Sequence, residues 1–305
     1  MAFSIHASAN PAAPTVPSLE RARDTTSRFR SGLRQIRKSK QALIGLAIFG
    51  LLVFVAIFAP VIAPADPGLP VLSTPLGSPS ASSWFGTDEL GRDVFGRIIH
   101  GSRISLGVAA LAVGISMVVG IPVGLLAGYW GGVLGTVLMR VMDALQAFPT
   151  ILLAIAIAST LGPGIVNAMI AIGIVGIPGF ARLARGEVLR IKAVEYVTAA
   201  RASGAGNARI MCQHILPNGV APLIIAAATS SAGAILTEAA LSFVGLGATP
   251  PQPSWGSMLQ SGYPYLSLAP WLSIFPGLAI SLTTFGLIFL GDGLRDIFDP
   301  RLRQR

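Results

Sequence analysis

The chain has 305 residues, 52% hydrophobic and only 11% charged, with a formal net charge of +9. Soluble domains carry about 25% charged residues, so this composition excludes a water-soluble fold and points to an all-α protein that crosses a membrane several times. Its single cysteine, Cys212, excludes an intrachain disulfide and a cysteine-built metal cluster.

Residues 1–41 form a basic N-terminal tail. Within it, 7–18 (ASANPAAPTVPS) is small, polar and proline-bearing, which predicts disorder. In SRFRSGLRQIRKSKQ, Phe29, Leu33 and Ile36 fall at helical spacing. That pattern fits either a helix lying on the inner membrane surface or a solvated basic anchor. Residues 42–103 hold the first span, 42–62, and an external loop. Ala63 and Ala65 would suit cleavage of a leader, but the apolar run is longer than the roughly 7–15 residues of a signal sequence and follows the basic tail, so it reads as a span. In the loop, WFGTDELGRDVFGRIIHGSRISL alternates Asp88, Glu89 and Asp93 with Arg92 and Arg97. This predicts an ion-pair cluster. A metal site on the Asp93, Arg97 and His100 face would be opposed by its own basic side chains.

Residues 104–305 supply five further spans. About 20 apolar residues cross a hydrocarbon core roughly 30 Å thick. The second span, 104–130, carries Pro122 and the small residues Gly107, Gly114, Gly120 and Gly124, expected to permit close helix contact. The third is 144–162, with a helical lead-in from Gly132; Arg140 and Asp143 are expected to pair on one helical face. The fourth, 165–181, should kink or break near Pro178. A charged segment, 182–218, precedes the fifth span, 219–243. That span holds Glu238, about 30 Å of helix beyond Asn218 and therefore expected as an interfacial or gate-side residue. The charge-free stretch after it, GLGATPPQPSWGSMLQSGYPYLSLAPW, reads as a loop with a short, partly inserted helix. The sixth span is 271–290.

Lys and Arg in short loops set the orientation. Nineteen of the 22 lie before the first span, near the link between the second and third, in 182–209 or at the C-terminus; the opposite loops hold only Arg92, Arg97 and Arg103. Both termini and 182–218 are thus expected in the cytoplasm. The basic charge is a topology signal, and nucleic acid is excluded as a partner; membrane lipid is the surrounding medium.

Within 182–218, VEYVTAARASG reads as a short helix that Gly204 stops, and Asn207 is placed to cap a second, ARIMCQHIL. Pro217 and Asn218 are expected to separate that helix from the fifth span. Ile210, Met211, Ile215 and Leu216 are then available to fill a groove on a partner, unless the pair lies back on its own membrane face.

Thr198-Ala199-Ala200, then Gly204, then His214-Ile215-Leu216-Pro217 resembles the coupling motif of binding-protein-dependent ABC importer permeases: Glu-Ala-Ala, three residues, Gly, nine residues, Ile, any residue, Leu-Pro. The spacing is complete; Thr198 and His214 depart from the usual Glu and Ile. EYVTAARASGA…RI…HILPN is similar to the version in the dipeptide, oligopeptide and nickel subfamily. FGTDELGRDVFGRIIHGSRISL, DALQAFPTILLAIA and EAALSFVGLG…PSWGSML resemble the second permease subunit of that subfamily. The resemblance covers residue 42 to the C-terminus. It implies the type I importer permease fold with cytoplasmic coupling helices, six transmembrane helices and a place in a bacterial inner membrane. It implies as partners a second homologous permease, two ABC ATPase subunits and an extracytoplasmic solute-binding protein. It also implies ATPase-coupling roles for Glu195, Ala199, Ala200, Gly204, Ala205, Ile210, His214, Leu216 and Pro217, and import of peptides or a related small solute. No solute-site residue follows from it.

No Gly-Lys pair occurs, so the chain lacks a phosphate loop. No cofactor is therefore expected on this chain, ATP and magnesium belonging to partner subunits. A stand-alone secondary transporter is the alternative; it would need internal repeats and a buried coupling acid. A membrane hydrolase finds no support, because His6, His100 and His214 form no catalytic set with a serine or a metal.

Overall fold

The computed structural model describes residues 39–69 and 74–298. The expected disorder of 7–18 and the surface helix carrying Phe29, Leu33 and Ile36 lie outside them. Ser39 caps α1, Lys40–Ile57, its side chain accepting from the Ala42 amide. A short α2, Ala59–Ile62, follows, with Pro60 in its first turn, where a missing N–H costs nothing. The long helix α3 runs from Val94 to Trp130 and is capped by Asp93, which accepts from the Gly96 amide at 2.7 Å. It therefore begins ten residues before the apolar run that announces it, and 104 is no structural boundary.

Gly131 (φ +62°) and Gly132 (φ +54°) reverse the chain into α4, Gly132–Gln146. Two consecutive left-handed residues would be strained for anything but glycine. The third expected span is not one helix. α4 and α5, Thr150–Leu161, meet at 89° across Ala147-Phe148-Pro149. Pro149 restricts Phe148 to non-helical conformations and supplies no amide to continue the ladder. At 1.5 Å per residue α5 is about 18 Å long, too short to cross alone.

α6, Ile165–Lys192, passes through Pro178 as one helix, so the expected break is absent. Pro178 is buried, and neighbouring helices can hold such a residue in register. α6 also continues three turns past Ala181, so the first part of 182–218 extends a span. α7 is Glu195–Ala202. α8 runs continuously from Asn207 to Phe243 and contains a π-helical stretch, Ile210–Ile215. The expected separation at Pro217 and Asn218 does not exist: Pro217 falls in the first turn of the segment Leu216–Phe243, where a proline is tolerated. α9, Trp255–Gly262, and α10, Trp271–Phe298, complete the chain. Five helices are long and apolar enough to cross a membrane, six if α4 and α5 count as one span.

Small residues let these helices approach. α3 and α6 run parallel along a seam on which Ala112, Ser116, Gly120, Gly124 and Gly128 recur every fourth residue. A Cβ at Gly120 would lie 2.6 Å from the Ile177 carbonyl oxygen, and one at Gly124 would strike that of Ala181. Gly107 and Gly114, also expected to mediate contact, face open space. α1 and α10 pack antiparallel, Gly45 against Leu290 and Gly293 against Ala42.

At the end opposite Trp130, Trp255 is 1% exposed and donates through Nε1 to the Ile98 carbonyl at 3.0 Å. The short helix of the charge-free loop thus plugs the bundle. The expected ion-pair cluster is present: Arg92 bonds Asp88 at 2.6 Å and Glu89 at 3.1 Å, and Arg97 approaches Asp88 at 3.5 Å. Asp143, by contrast, pairs with Arg182 at 3.1 Å, across helices rather than with Arg140. Glu238 is fully buried and accepts from Ser242 at 2.6 Å. The α9 loop covers it, its Ser254 bonding Ser242 at 3.3 Å.

Candidate functional site

α7 projects beside the ends of α3 and α6, and its geometry follows from its termination. The Gly204 amide donates to Arg201 O at 3.0 Å and the Ala205 amide to Ala200 O at 3.1 Å. This is the double-bonded glycine stop, with Gly204 at φ +83°. The reversal sends the chain into α8 by way of Gly206. Asn207 does not cap α8; Gly206 holds that position, and Asn207 is the first helical residue. Its side chain is used elsewhere: Oδ1 accepts from the Tyr129 hydroxyl at 2.8 Å.

Below α7 lies a small apolar core. Ile210 (0% exposed), Ile215 (1%) and Val197 (1%) pack with Val188 and Ile191 of α6 and Tyr129 of α3. Ile210 and Ile215 are therefore not available to a partner. Five residues apart, they share one side because this stretch is π-helical, and the last turns of α6 and the end of α3 cover them. Tyr129 is the centre of the joint. Lys192 Nζ reaches its carbonyl at 2.5 Å, and Lys192 and Arg201 lie 5.3 and 5.8 Å from its ring centroid. The Tyr196 hydroxyl donates to His214 O at 3.2 Å, closing α7 onto the π-helical stretch, and the Asn218 side-chain Nδ2 donates to the same carbonyl from within α8 at 2.6 Å.

The outer face is different. Glu195, Ala199, Gly204 and Pro217 are exposed, while Ala200, Ala205, His214 and Leu216 are half-buried. Thr198, Ala199, Ala202 and Ser203 make this face nearly free of long side chains, a surface another protein can approach closely. Of the residues proposed from sequence, Glu195, Ala199 and Gly204 lie on it, and Ile210 supports it from beneath. Tyr129 and its tether to Asn207 were missed; a lone aromatic at the end of a span gives no signal. Of the small residues singled out on α3, Gly120 and Gly124 lie on the seam that carries the joint, while Gly107 and Gly114 do not.

Residues 120–304 match the family described as "Binding-protein-dependent transport system inner membrane component". The chain belongs to this family of ABC importer permeases. Residues 27–75 of the permease match "N-terminal TM domain of oligopeptide transport permease C". The permease is 43% identical over 291 residues to the dipeptide transport system permease protein DppC of Alkalihalophilus pseudofirmus, covering 95% of this chain and 96% of that one. It is 46% identical to the di/tripeptide transport system permease protein DppC of Pseudomonas aeruginosa, covering 87% and 90%. It is also 46% identical to the glutathione transport system permease protein GsiD of Pectobacterium atrosepticum, covering 74% and 75%. In fold it resembles the inward-facing MetNI methionine ABC transporter, with a TM-score of 0.56 at 19% identity, covering 67% of this chain and 98% of that one. Among the described residues, no group of three or more His, Cys, Asp or Glu side chains could hold a metal ion.

Proposed function

We propose that the permease is the second membrane subunit of an ATP-driven importer of short peptides or a closely related solute. α4 and α5 act together as one bent span, giving six, with both termini and α7 in the cytoplasm. A second homologous permease completes the membrane domain, two ATPase subunits lie beneath it, and an extracytoplasmic binding protein delivers the solute. ATP and magnesium are bound by the ATPases. The outer face of α7, with Glu195, Ala199 and Gly204, seats in an ATPase groove; Ala200, Ala205, Ile210, His214, Leu216 and Pro217 hold that face in position. Closure of the ATPases then moves the ends of α3, α6 and α8 together. Peptide as the solute is supported by the names of the relatives. Family membership removes the stand-alone secondary transporter.

The observation that carries the coupling role is the joint itself: an exposed face of small side chains fixed by one apolar core to three long helices. Ala199→Arg tests it, because Ala199 is exposed and its replacement leaves the inner core intact. We expect normal membrane insertion, loss of ATPase co-purification and loss of peptide uptake. Unchanged uptake with the ATPases still attached would refute the docking role.

A further inference from the structure

We propose that a cavity between α3, α5, α6 and α8 is this chain's wall of the solute path, and that it handles the main chain of a short peptide. The inference rests on the peptide-importer reading above. The cavity encloses about 230 Å³, and its wall carries the hydroxyls of Ser116, Thr150, Ser230 and Thr237 beside Gly233 and Phe180. Ser230 stands at the midpoint of the 28-residue stretch Leu216–Phe243, which places the cavity at mid-depth in the bundle.

Thr150, Ser230 and Gly233 are exposed in the single chain. Exposed hydroxyls at that depth are costly against lipid and are normally turned toward protein or a watery cavity. The bend before α5 contributes to the wall. Pro149 stands at the N-cap and no side chain caps the helix, so the first amides of α5 are left for another partner.

The chemistry of the wall selects the ligand class. No charged side chain lines the cavity among the described residues. A fixed charge would discriminate among peptides by their side chains and hold some too firmly to release. Hydroxyls both donate and accept, so they match the alternating N–H and C=O groups common to every peptide main chain. Ser116 is buried and shares its one hydroxyl proton between Ala112 O at 2.9 Å and Gly173 O at 2.7 Å, so it shapes the wall rather than meeting the solute. Thr237 donates to Gly233 O at 2.8 Å and retains lone pairs for a passing amide. Weak contacts of this kind suit a path that a solute must leave as readily as it enters.

Gly233 is the position to test, since a Cβ there meets nothing within 4 Å. In the assembled importer with Cys212→Ser, Gly233→Cys should react with a small hydrophilic thiol reagent, whereas Leu51→Cys on the outer face of α1 should not. Gly233→Phe should lower uptake of Ala-Ala-Ala more than that of Ala-Ala, by about tenfold or more, while binding-protein-stimulated ATP hydrolysis persists. An unreactive Gly233→Cys would remove the path from this cavity. Equal uptake of the two peptides by Gly233→Phe would remove its role in solute passage. A parent importer that takes up neither peptide would overturn the peptide reading and the ligand class named here, with the labelling result still deciding the path.

Discussion

Gly204 and Glu238 show how much a single residue is asked to do. Gly204 holds φ +83° so that two amides can close the end of α7. A β-branched residue there costs on the order of 1–2 kcal/mol and redirects the entry into α8. Gly204→Val should therefore reduce ATPase co-purification while leaving insertion normal; full co-purification would show that the turn is not needed for docking. Glu238 is buried, with one carboxyl oxygen accepting from Ser242. Gln offers the same acceptor. Glu238→Gln should keep transport, whereas Glu238→Leu leaves the Ser242 hydroxyl without this partner at a cost of about 1–3 kcal/mol, read as a lower unfolding temperature in detergent. Loss of transport in a stably assembled Glu238→Gln importer would give this acid a protonation role that ATP-driven import does not need.

At the scale of elements, the α3–α6 seam outweighs the visible ion pairs. Asp143 and Arg182 are about half exposed, 49% and 47%, and such a pair contributes no more than about 1 kcal/mol. Gly124, by contrast, has the α6 backbone in the space a side chain would fill. Gly124→Leu should lower the yield of assembled protein sharply, Gly107→Leu should not, and Asp143→Asn should change little. Equal yields for the two leucine variants would mean that the seam does not hold the bundle. The joint beneath α7 belongs to the same scale. Tyr129→Phe removes the bond to Asn207 yet keeps the ring in its apolar core. We expect about 0.5–1.5 kcal/mol of local stability to be lost, with ATP hydrolysis retained and uptake per ATP reduced. An unchanged uptake-to-hydrolysis ratio would show that the tether carries no motion.

For the whole molecule, the two ends of the bundle are built for different work. One end is closed by Trp255 and by the Asp88, Arg92 and Arg97 cluster, which fix the loop to the start of α3. The other presents α7 on its own small core. The orientation is tested with Ala81→Cys in a Cys212→Ser background, Ala81 being exposed in the loop before α3. An impermeant reagent should label it on intact cells. Labelling only after the membrane is opened would invert the molecule and put α7 beyond reach of ATP.

Hydropathy, the distribution of Lys and Arg, and the spacing from Thr198 to Pro217 determined the class and pointed to the expected orientation and the proposed coupling segment, because each depends on local composition along the chain. The short helix at Trp255 and the stop at Gly204 were legible for the same reason. Tertiary structure alone decided that Asp143 answers Arg182, that Ile210 and Ile215 turn inward, that α6 continues through Pro178 without a break, and that Glu238 is covered. Each of these depends on which helix lies alongside, and distance across a packed bundle is not written in the order of residues on one strand of chain.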